Sequence, residues 1–376
     1  MKKKEPLFRV VKREGGSPAR LAVSYVVAVA VALCIGALLL AVQGVPVFQF
    51  YRDMLTMGMV GSRYPFRILE GFIRLFVPLL ITSLALSLAF KMRFWNIGGE
   101  GQFIMGALCA GIAAMKLGNV LPQPVMLLVL AVCGILGGGI YGLIVALLKV
   151  RFGTNETLLT LMLNYVALYL LLFLGETKAD WNFFLSADSV RPIFARFPES
   201  AGMITFGLGP FQLNLSLVIA VVLCVLIFVY LKYTKQGYEI AVVGDSAGTA
   251  HYAGMKVNTI VLRTVFLSAC LIGLAAAFKV GTAGILSTAI TDDVGWTGII
   301  VAWLSQMNTA IIFLVSALIS MLRYGSTVAA ATFSQVDSSF ANMLQGSILF
   351  LVLAADFYTR FRVVPVQKGG KTNGNG

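Results

Sequence analysis

Charge is what this chain of 376 residues has least of: only 12% are Asp, Glu, Lys or Arg, about half the share found in water-soluble domains. A soluble fold of this length would lack the polar surface to cover itself. Histidine is nearly absent, with His251 alone, which excludes a His-rich metal site. The five cysteines, Cys34, Cys109, Cys133, Cys224 and Cys270, lie far apart inside apolar stretches. They read as small buried hydrophobes, not as a disulfide framework or a metal motif. Clustered acids and His/Asp sets are missing too, which leaves a membrane enzyme without a catalytic constellation. Nucleotide motifs also fail. Gly370-Lys371-Thr372 ends like a phosphate-binding loop, but Pro365 stands where its first glycine would be, and Gly207-Leu208-Gly209 is followed by Gln212 in place of a third glycine. Neither has the required strand-to-helix context.

What is abundant is hydrophobicity, at 59% of residues and a mean hydropathy of +0.89. Several apolar runs reach the ~20 residues that a bilayer-spanning helix needs. Reading them gives spans at 21–42, 72–90, 96–115, 120–148, 157–174, 211–231, 261–280, a short 296–306, 310–322 and 340–358. The fold class is therefore all-α, a polytopic transmembrane bundle of about ten membrane helices. The first run is longer than a signal-peptide core and closes without a small-residue cleavage pattern, so no cleaved signal is expected.

The formal net charge of +13 does not point to nucleic acid, because the basic residues flank apolar runs instead of sharing a soluble face. Lys2, Lys3, Lys4, Arg9, Lys12, Arg13 and Arg20 precede the first run, Lys91 and Arg93 follow the second, and Lys149 and Arg151 follow the fourth. Lys232, Lys235, Lys256, Arg263, Arg360, Arg362, Lys368 and Lys371 continue the pattern. The positive-inside rule then places both termini in the cytoplasm. That orientation demands an even number of crossings, so 283–322 must cross twice. The piece 296–306 is too short to do so alone at 1.5 Å per residue; it either borrows residues from 283–295 or is a re-entrant half-helix. Three domains of organisation follow: a basic cytoplasmic segment 1–20, a permease-like membrane domain 21–360, and a basic, disordered tail 361–376. Within the membrane domain, 43–71 and 175–210 lie outside, the first with room for an amphipathic surface helix. The segment 232–258 is the one sizeable cytoplasmic loop. Asp292 and Asp293, beside Trp296, are expected on the outer side.

Some polar residues stand where they are expensive. Asn96-Ile97-Gly98-Gly99-Glu100-Gly101-Gln102 opens the third span with a carboxylate among glycines. Ionisable groups at membrane depth cost ~2.5–3.5 kcal/mol and face a cavity or a partner, and glycines there suit a discontinuous helix. Asn155 and Glu156 precede the fifth span, either as helix caps or as pathway groups. Asn164 and Tyr165 lie deeper in that span. Gly134, Gly138 and Gly142 share one face of the fourth, a spacing that lets helices approach closely in lipid.

The strings NIGGEGQ at 96–102 and NETLLTLMLNY at 155–165 resemble the binding-protein-dependent permeases of ATP-driven importers, the family that serves ribose, branched-chain amino acids and nucleosides. GYEIAVVGDSAGTAHYAGM at 237–255, GWTGIIVAWL at 295–304 followed by Asn308, and LQGSILFLVLA at 344–354 support the resemblance, which covers about residues 72–358. The Asn–Glu pair before TLMLNY and the long basic amino terminus are closer to the nucleoside-type branch. Two departures stand out: Trp303-Leu304-Ser305-Gln306-Met307, where relatives more often carry Leu-Gly before the Asn, and Ala241, where an arginine is common.

The resemblance implies a permease similar to those of type II-like ABC importers, a transport subunit and not an enzyme, in a bacterial cytoplasmic membrane. Its partners would be an ABC ATPase subunit that holds the ATP and Mg, a second permease chain (the same or different), and an extracytoplasmic substrate-binding lipoprotein. This chain itself would bind no cofactor. The implied substrate pathway uses Asn96, Glu100, Gln102, Asn155, Glu156, Asn164 and Tyr165, with Trp95 or Tyr165 stacking on a base. ATPase coupling falls to Gly237, Tyr238, Gly244, Asp245, Gly248, Ala250 and Gly254, with Asp245 as a helix N-cap. A nucleoside is the expected cargo; a sugar, riboflavin or another small polar solute is the alternative within the family. An ion-coupled secondary transporter or channel is the alternative outside it.

Overall fold

The computed structural model describes residues 8–12, 18–60, 62–187, 189–333, 335–336 and 338–365. The helices in chain order are α1 (Pro18–Val42), α2 (Val47–Leu55), α3 (Pro65–Lys91), α4 (Gly99–Leu117), α5 (Gln123–Phe152), α6 (Glu156–Glu176), α7 (Leu215–Tyr233), α8 (Lys235–Asp245), α9 (Ala247–Tyr252), α10 (Val257–Ala283), α11 (Val294–Leu304), α12 (Thr309–Thr332) and α13 (Ser338–Arg360). Each of the ten expected spans corresponds to one of them. Among the described residues, seven (α1, α3, α5, α6, α7, α10 and α12) are long and apolar enough to cross a membrane. The chain folds as a polytopic helical bundle.

The chain divides into two units, 1–52 with 326–376, and 53–325. In the first, α1 packs along α13, and Tyr25 Oη donates to Asp356 Oδ1 at 2.6 Å. Phe50, fully buried, meets the Phe340 ring edge-on at 5.6 Å. It lies on the buried side of α2, whose Phe48 is exposed; this is the amphipathic helix allowed for in 43–71. Strand β1 (Phe8–Lys12) pairs antiparallel with β4 (Phe361–Pro365), so the segment read as a tail opens with a paired strand. Residues 1–7, 13–17 and 366–376, the remainder of the basic amino-terminal segment and of the tail, lie outside the described residues.

The second unit is organised by small residues. Gly134, Gly138 and Gly142 of α5 all face α10. A Cβ on Gly134 would lie 2.6 Å from the Gly273 carbonyl oxygen, and one on Gly138 would lie 2.8 Å from both the Ala269 oxygen and Gly273 Cα. On α4, a Cβ on Gly106 would stand 2.7 Å from the same Gly273 Cα. Backbone meets backbone, which is how helices associate where lipid offers no hydrophobic driving force. α4, buried along most of its length, is enclosed by α5, α6, α10 and α11.

One expected span begins later than the sequence suggests. Residues 211–214, assigned to a span, form strand β3 (Phe211–Asn214), which pairs with β2 (Thr205–Leu208) around Gly209 at φ +65°. Helix α7 starts only after Asn214, whose side chain accepts from the Ser216 N–H at 3.0 Å. The outer segment before the hairpin is folded rather than loose. Asn182 donates to the Leu174 and Thr177 carbonyls at 2.7 Å each, and Phe184 and Phe194 are buried.

Candidate functional site

The irregular stretch between α3 and α4 is held by side-chain amides. Asn96 and Gln102 are both buried and bond reciprocally: Asn96 Nδ2 donates to Gln102 Oε1 at 3.2 Å, and Gln102 Nε2 donates to Asn96 Oδ1 at 3.1 Å. Asn96 Oδ1 also accepts from the Gly98 N–H at 3.1 Å. From α6, Asn164 accepts from the Gly101 N–H at 2.8 Å and donates to the Ile97 carbonyl at 3.0 Å. The first turn of α4 has orphan donors like any helix, and Asn164 satisfies one of them. Three of the candidate pathway amides therefore form one self-satisfied knot, as buried polar groups require.

Glu100 completes it from the other side. Its carboxylate accepts from the Gly295 N–H at 2.9 Å, placing a negative group on the N-terminus of α11, where the helix dipole favours it. Gly295 sits so close that a Cβ there would collide with the Glu100 backbone. Tyr165, by contrast, is half exposed and makes none of the knot's hydrogen bonds. Asn155 caps α6, accepting from the Thr157 and Leu158 N–H groups at 3.0 and 3.3 Å, and Glu156 pairs with Lys149 at 2.8 Å. The capping alternative is the geometry observed for this pair.

The second crossing demanded of 283–322 is built from two pieces. Leu286 packs against Gly111 of α4, whereas Gly295 packs against Glu100. Those α4 positions are separated by about 16 Å of helix. Residues 285–293 descend that distance without regular helix, and α11 continues as an eleven-residue segment. The stretch before α11 is thus irregular, and of 283–295 the helix takes in only Val294 and Gly295. Non-glycine residues in the left-handed region bracket α11: Asp292 (φ 46°) and Asp293 (φ 52°) before it, Gln306 (φ 50°) and Met307 (φ 57°) after it. Such residues cost ~1–3 kcal/mol each and collect at functional sites.

Asp292 and Asp293, expected on the outer side, stand just before α11, whose Gly295 meets Glu100 in the first turn of α4. Asp292 pairs with Lys279 of α10 at 2.5 Å, Arg323 of α12 donates to the Asp292 carbonyl, and Arg323 stands 3.9 Å from the Asp293 carboxylate. Sequence reasoning missed both cations. Lys279 lies inside the expected run 261–280 and Arg323 just beyond the expected run 310–322, within α12; a lone cation inside a long apolar helix is the signal, since it needs a partner. At the other end of α11, Trp303 stacks on Trp95 with ring centroids 4.9 Å apart.

Against the end of α3, α8 and α9 form the short-helix element of 232–258. Gly237, Gly244 and Ala250 are buried, and a Cβ on Gly244 would strike the Lys91 carbonyl at the end of α3. Tyr238, Asp245, Gly248 and Gly254 are exposed, as is Tyr252 at 94%. Asp245 is not an N-cap. It ends α8, and Ser246 caps α9 by accepting from the Thr249 N–H at 3.2 Å. A cleft of about 480 Å³ separates this element from the ends of α3, α5 and α6, lined by Arg93, Lys149, Glu156 and Asp245 among others.

The seven helices long and apolar enough to cross a membrane, packed at small residues, describe a multi-pass membrane protein. Residues 68–353 match the family model described as branched-chain amino acid transport system / permease component. The chain belongs to that family of ABC transporter permease components, which are not themselves enzymes. It is 28% identical to a guanosine ABC transporter permease of Bacillus subtilis, over 92% of this chain and 96% of that one. It is 23% identical to a nucleoside ABC transporter permease of Lactococcus lactis, over 87% and 89%. A glucose ABC transporter permease of Haloferax volcanii is 26% identical over 90% and 88%.

Proposed function

We propose that this chain is the membrane-spanning half of an ATP-driven nucleoside importer in the bacterial cytoplasmic membrane, with both termini cytoplasmic. The observation that carries the reading is the near full-length similarity to two nucleoside-type permeases, on a fold that gathers polar groups at the starts of α4 and α11. A second permease chain completes the pathway. An ATPase subunit, which alone handles ATP and Mg, docks on the exposed residues of α8 and α9, with Tyr238, Asp245, Gly248 and Gly254 in contact. Gly237, Gly244 and Ala250 transmit the movement inward, because they bind the element to the membrane helices. A binding lipoprotein delivers substrate to the outer segment 175–210, where Trp181 and Ile193 are exposed.

In this reading Asn96, Glu100, Gln102 and Asn164 frame the pathway rather than clasp the cargo, since their hydrogen-bonding groups already serve the start of α4 and the N-terminus of α11. Asn155 and Glu156 fix the entry of α6, and Tyr165 remains a candidate for contact with substrate. The glucose permease relative supports a sugar as the second reading. The deciding experiment is uptake of labelled nucleosides, sugars and riboflavin by proteoliposomes holding the assembled transporter and its binding protein, with and without ATP. ATP-dependent uptake of a nucleoside in preference to the others is expected. Preference for a sugar would replace the substrate reading, and gradient-driven uptake by this chain alone would overturn the importer reading.

A further inference from the structure

One face of α11 is open. Trp296, Ile300 and Trp303 recur at i, i+4 and i+7, which places them in a single stripe about 10 Å long, and Asp293, the residue before the helix, stands at its head. The Asp293 side chain is 68% exposed and the two indoles are 37% and 38% exposed, while Val294, Gly295, Thr297, Gly298, Val301 and Ala302 on the other side are buried. Trp95, 43% exposed, extends the stripe through its stack on Trp303.

Depth decides what this face meets. Asp293 stands two residues before Gly295, which contacts Glu100 about 16 Å along α4 from the Leu286–Gly111 contact, a level that falls within the span in the proposed orientation. A carboxylate so exposed at that depth does not face acyl chains, because ionisable groups within the bilayer turn to water or to a partner. Arg323 at 3.9 Å balances its charge and leaves most of the carboxylate surface open. The remaining occupants are an aqueous route or another protein surface. A carboxylate followed by indoles matches one solute chemistry well: vicinal hydroxyls donate to the carboxylate, and a flat base stacks on the rings.

We propose that this stripe, Asp293, Trp296, Ile300 and Trp303 with Trp95, is a nucleoside-binding strip on the wall of the translocation route. Asp293 accepts from the ribose hydroxyls and the indoles carry the base. The inference rests on the nucleoside reading above and assigns the contact to α11, not to the buried amides.

The test uses the assembled transporter in proteoliposomes, with a nucleoside and its 2′,3′-dideoxy analogue as probes and the same binding protein throughout, so that the binding protein's own selectivity cancels between variant and parent. Asp293→Asn should lower kcat/KM for the nucleoside about 10- to 100-fold, the span of a hydrogen bond to a charged group. The dideoxy analogue should change little, so discrimination between the two collapses. Trp296→Ala should weaken uptake of both and Trp296→Phe should restore it. Undiminished discrimination by Asp293→Asn would overturn the strip while leaving the nucleoside reading intact. A parent transporter that carries a sugar but no nucleoside would overturn both. Accessibility supplies a readout independent of activity. Ile300→Cys, in a chain whose five native cysteines are replaced by alanine, should react with a membrane-impermeant thiol reagent and be protected by the nucleoside. Reaction only after the assembly is dissociated would mark a subunit interface and overturn the proposal.

Discussion

Gly138→Ala offers the sharpest test of how the second unit is held together. The added Cβ would lie 2.8 Å from the Ala269 carbonyl oxygen, 2.8 Å from Gly273 Cα and 2.9 Å from the Gly273 nitrogen. All three are backbone atoms, so no side chain can rotate away, and ordinary contact at 3.4 Å requires α5 and α10 to part by 3.4 − 2.8 = 0.6 Å. Overpacking of this kind costs ~1–3 kcal/mol, partly offset by the ~1 kcal/mol that Ala gains over Gly inside a helix. The net expectation is a loss of about 0–2 kcal/mol. Adding Gly134→Ala, whose Cβ would lie 2.6 Å from the Gly273 oxygen, attacks the same contact, so the two changes will not simply add. Gly346→Ala in α13 is the control, because nothing lies within 4 Å of its Cβ; it should be neutral or slightly stabilising. Thermal unfolding of the purified chain in one detergent reads all three. A Gly138→Ala melting point at or above that of Gly346→Ala would refute the close-packing argument.

Three further outcomes follow from the geometry. Glu100→Ala removes the charged acceptor of the Gly295 N–H, worth about 1.5–3 kcal/mol. Amide hydrogen exchange over Gly295–Gly298 should then accelerate by at least about tenfold, and unchanged exchange would mean that Glu100 does not cap α11. Gly244→Leu forces a side chain into the Lys91 carbonyl, a strain of about 1–3 kcal/mol that lifts α8 from the end of α3. In the assembled transporter ATP hydrolysis should persist while uptake falls, and coupled transport at the parental ratio would count against α8 as the transmitting element. Asn155→Ala should cost about 1 kcal/mol through loss of the α6 cap, visible as a lower melting point; no shift would make the two bonds to Asn155 Oδ1 dispensable.

The helices were legible because apolar run length is a strong signal in lipid, where every backbone polar group must be satisfied within the segment. The same signal hid what interrupts it. One lysine among the apolar neighbours of Lys279 leaves the run unbroken, and its partner Asp292 lies beyond the end of the helix. The hairpin at 205–214 was lost for a related reason: Phe211 and Leu213 extended the apolar run of α7, although Gly209-Pro210 announced a turn. The third-span motif shows its glycines and polar groups in sequence but not their partners: Asn96, Gln102 and Asn164 spend their hydrogen bonds on one another and on the backbone. Pairing across 60 or more residues, as between Asn164 and Gly101, has no local signature. For the coupling segment the sequence marked the small residues but not their direction, and Gly244 faces the membrane helices while Gly248 faces out.

Alternating access requires that some contacts break in every cycle, and the kinds of contact found here divide the second unit into parts fit and unfit for that task. Between α4, α5 and α10 the touching atoms are backbone against backbone at glycines, and a close-packed interface of that kind parts only at the cost of those contacts. Around α11 the contacts are different in kind: one carboxylate cap, an ion pair to Lys279, an arginine on Asp292 and Asp293, and an indole stack. Each can be exchanged for water or for another polar partner as the surroundings change. Left-handed residues on both flanks store strain that the surrounding contacts must hold in place. In the proposed transport cycle, a movement passed from α8 through Gly244 to the end of α3 would meet a glycine-packed trio on one side and, beside α3, a short helix whose restraints are exchangeable. In that cycle α11 is the element able to yield, and its exposed face is where yielding would change what a solute meets.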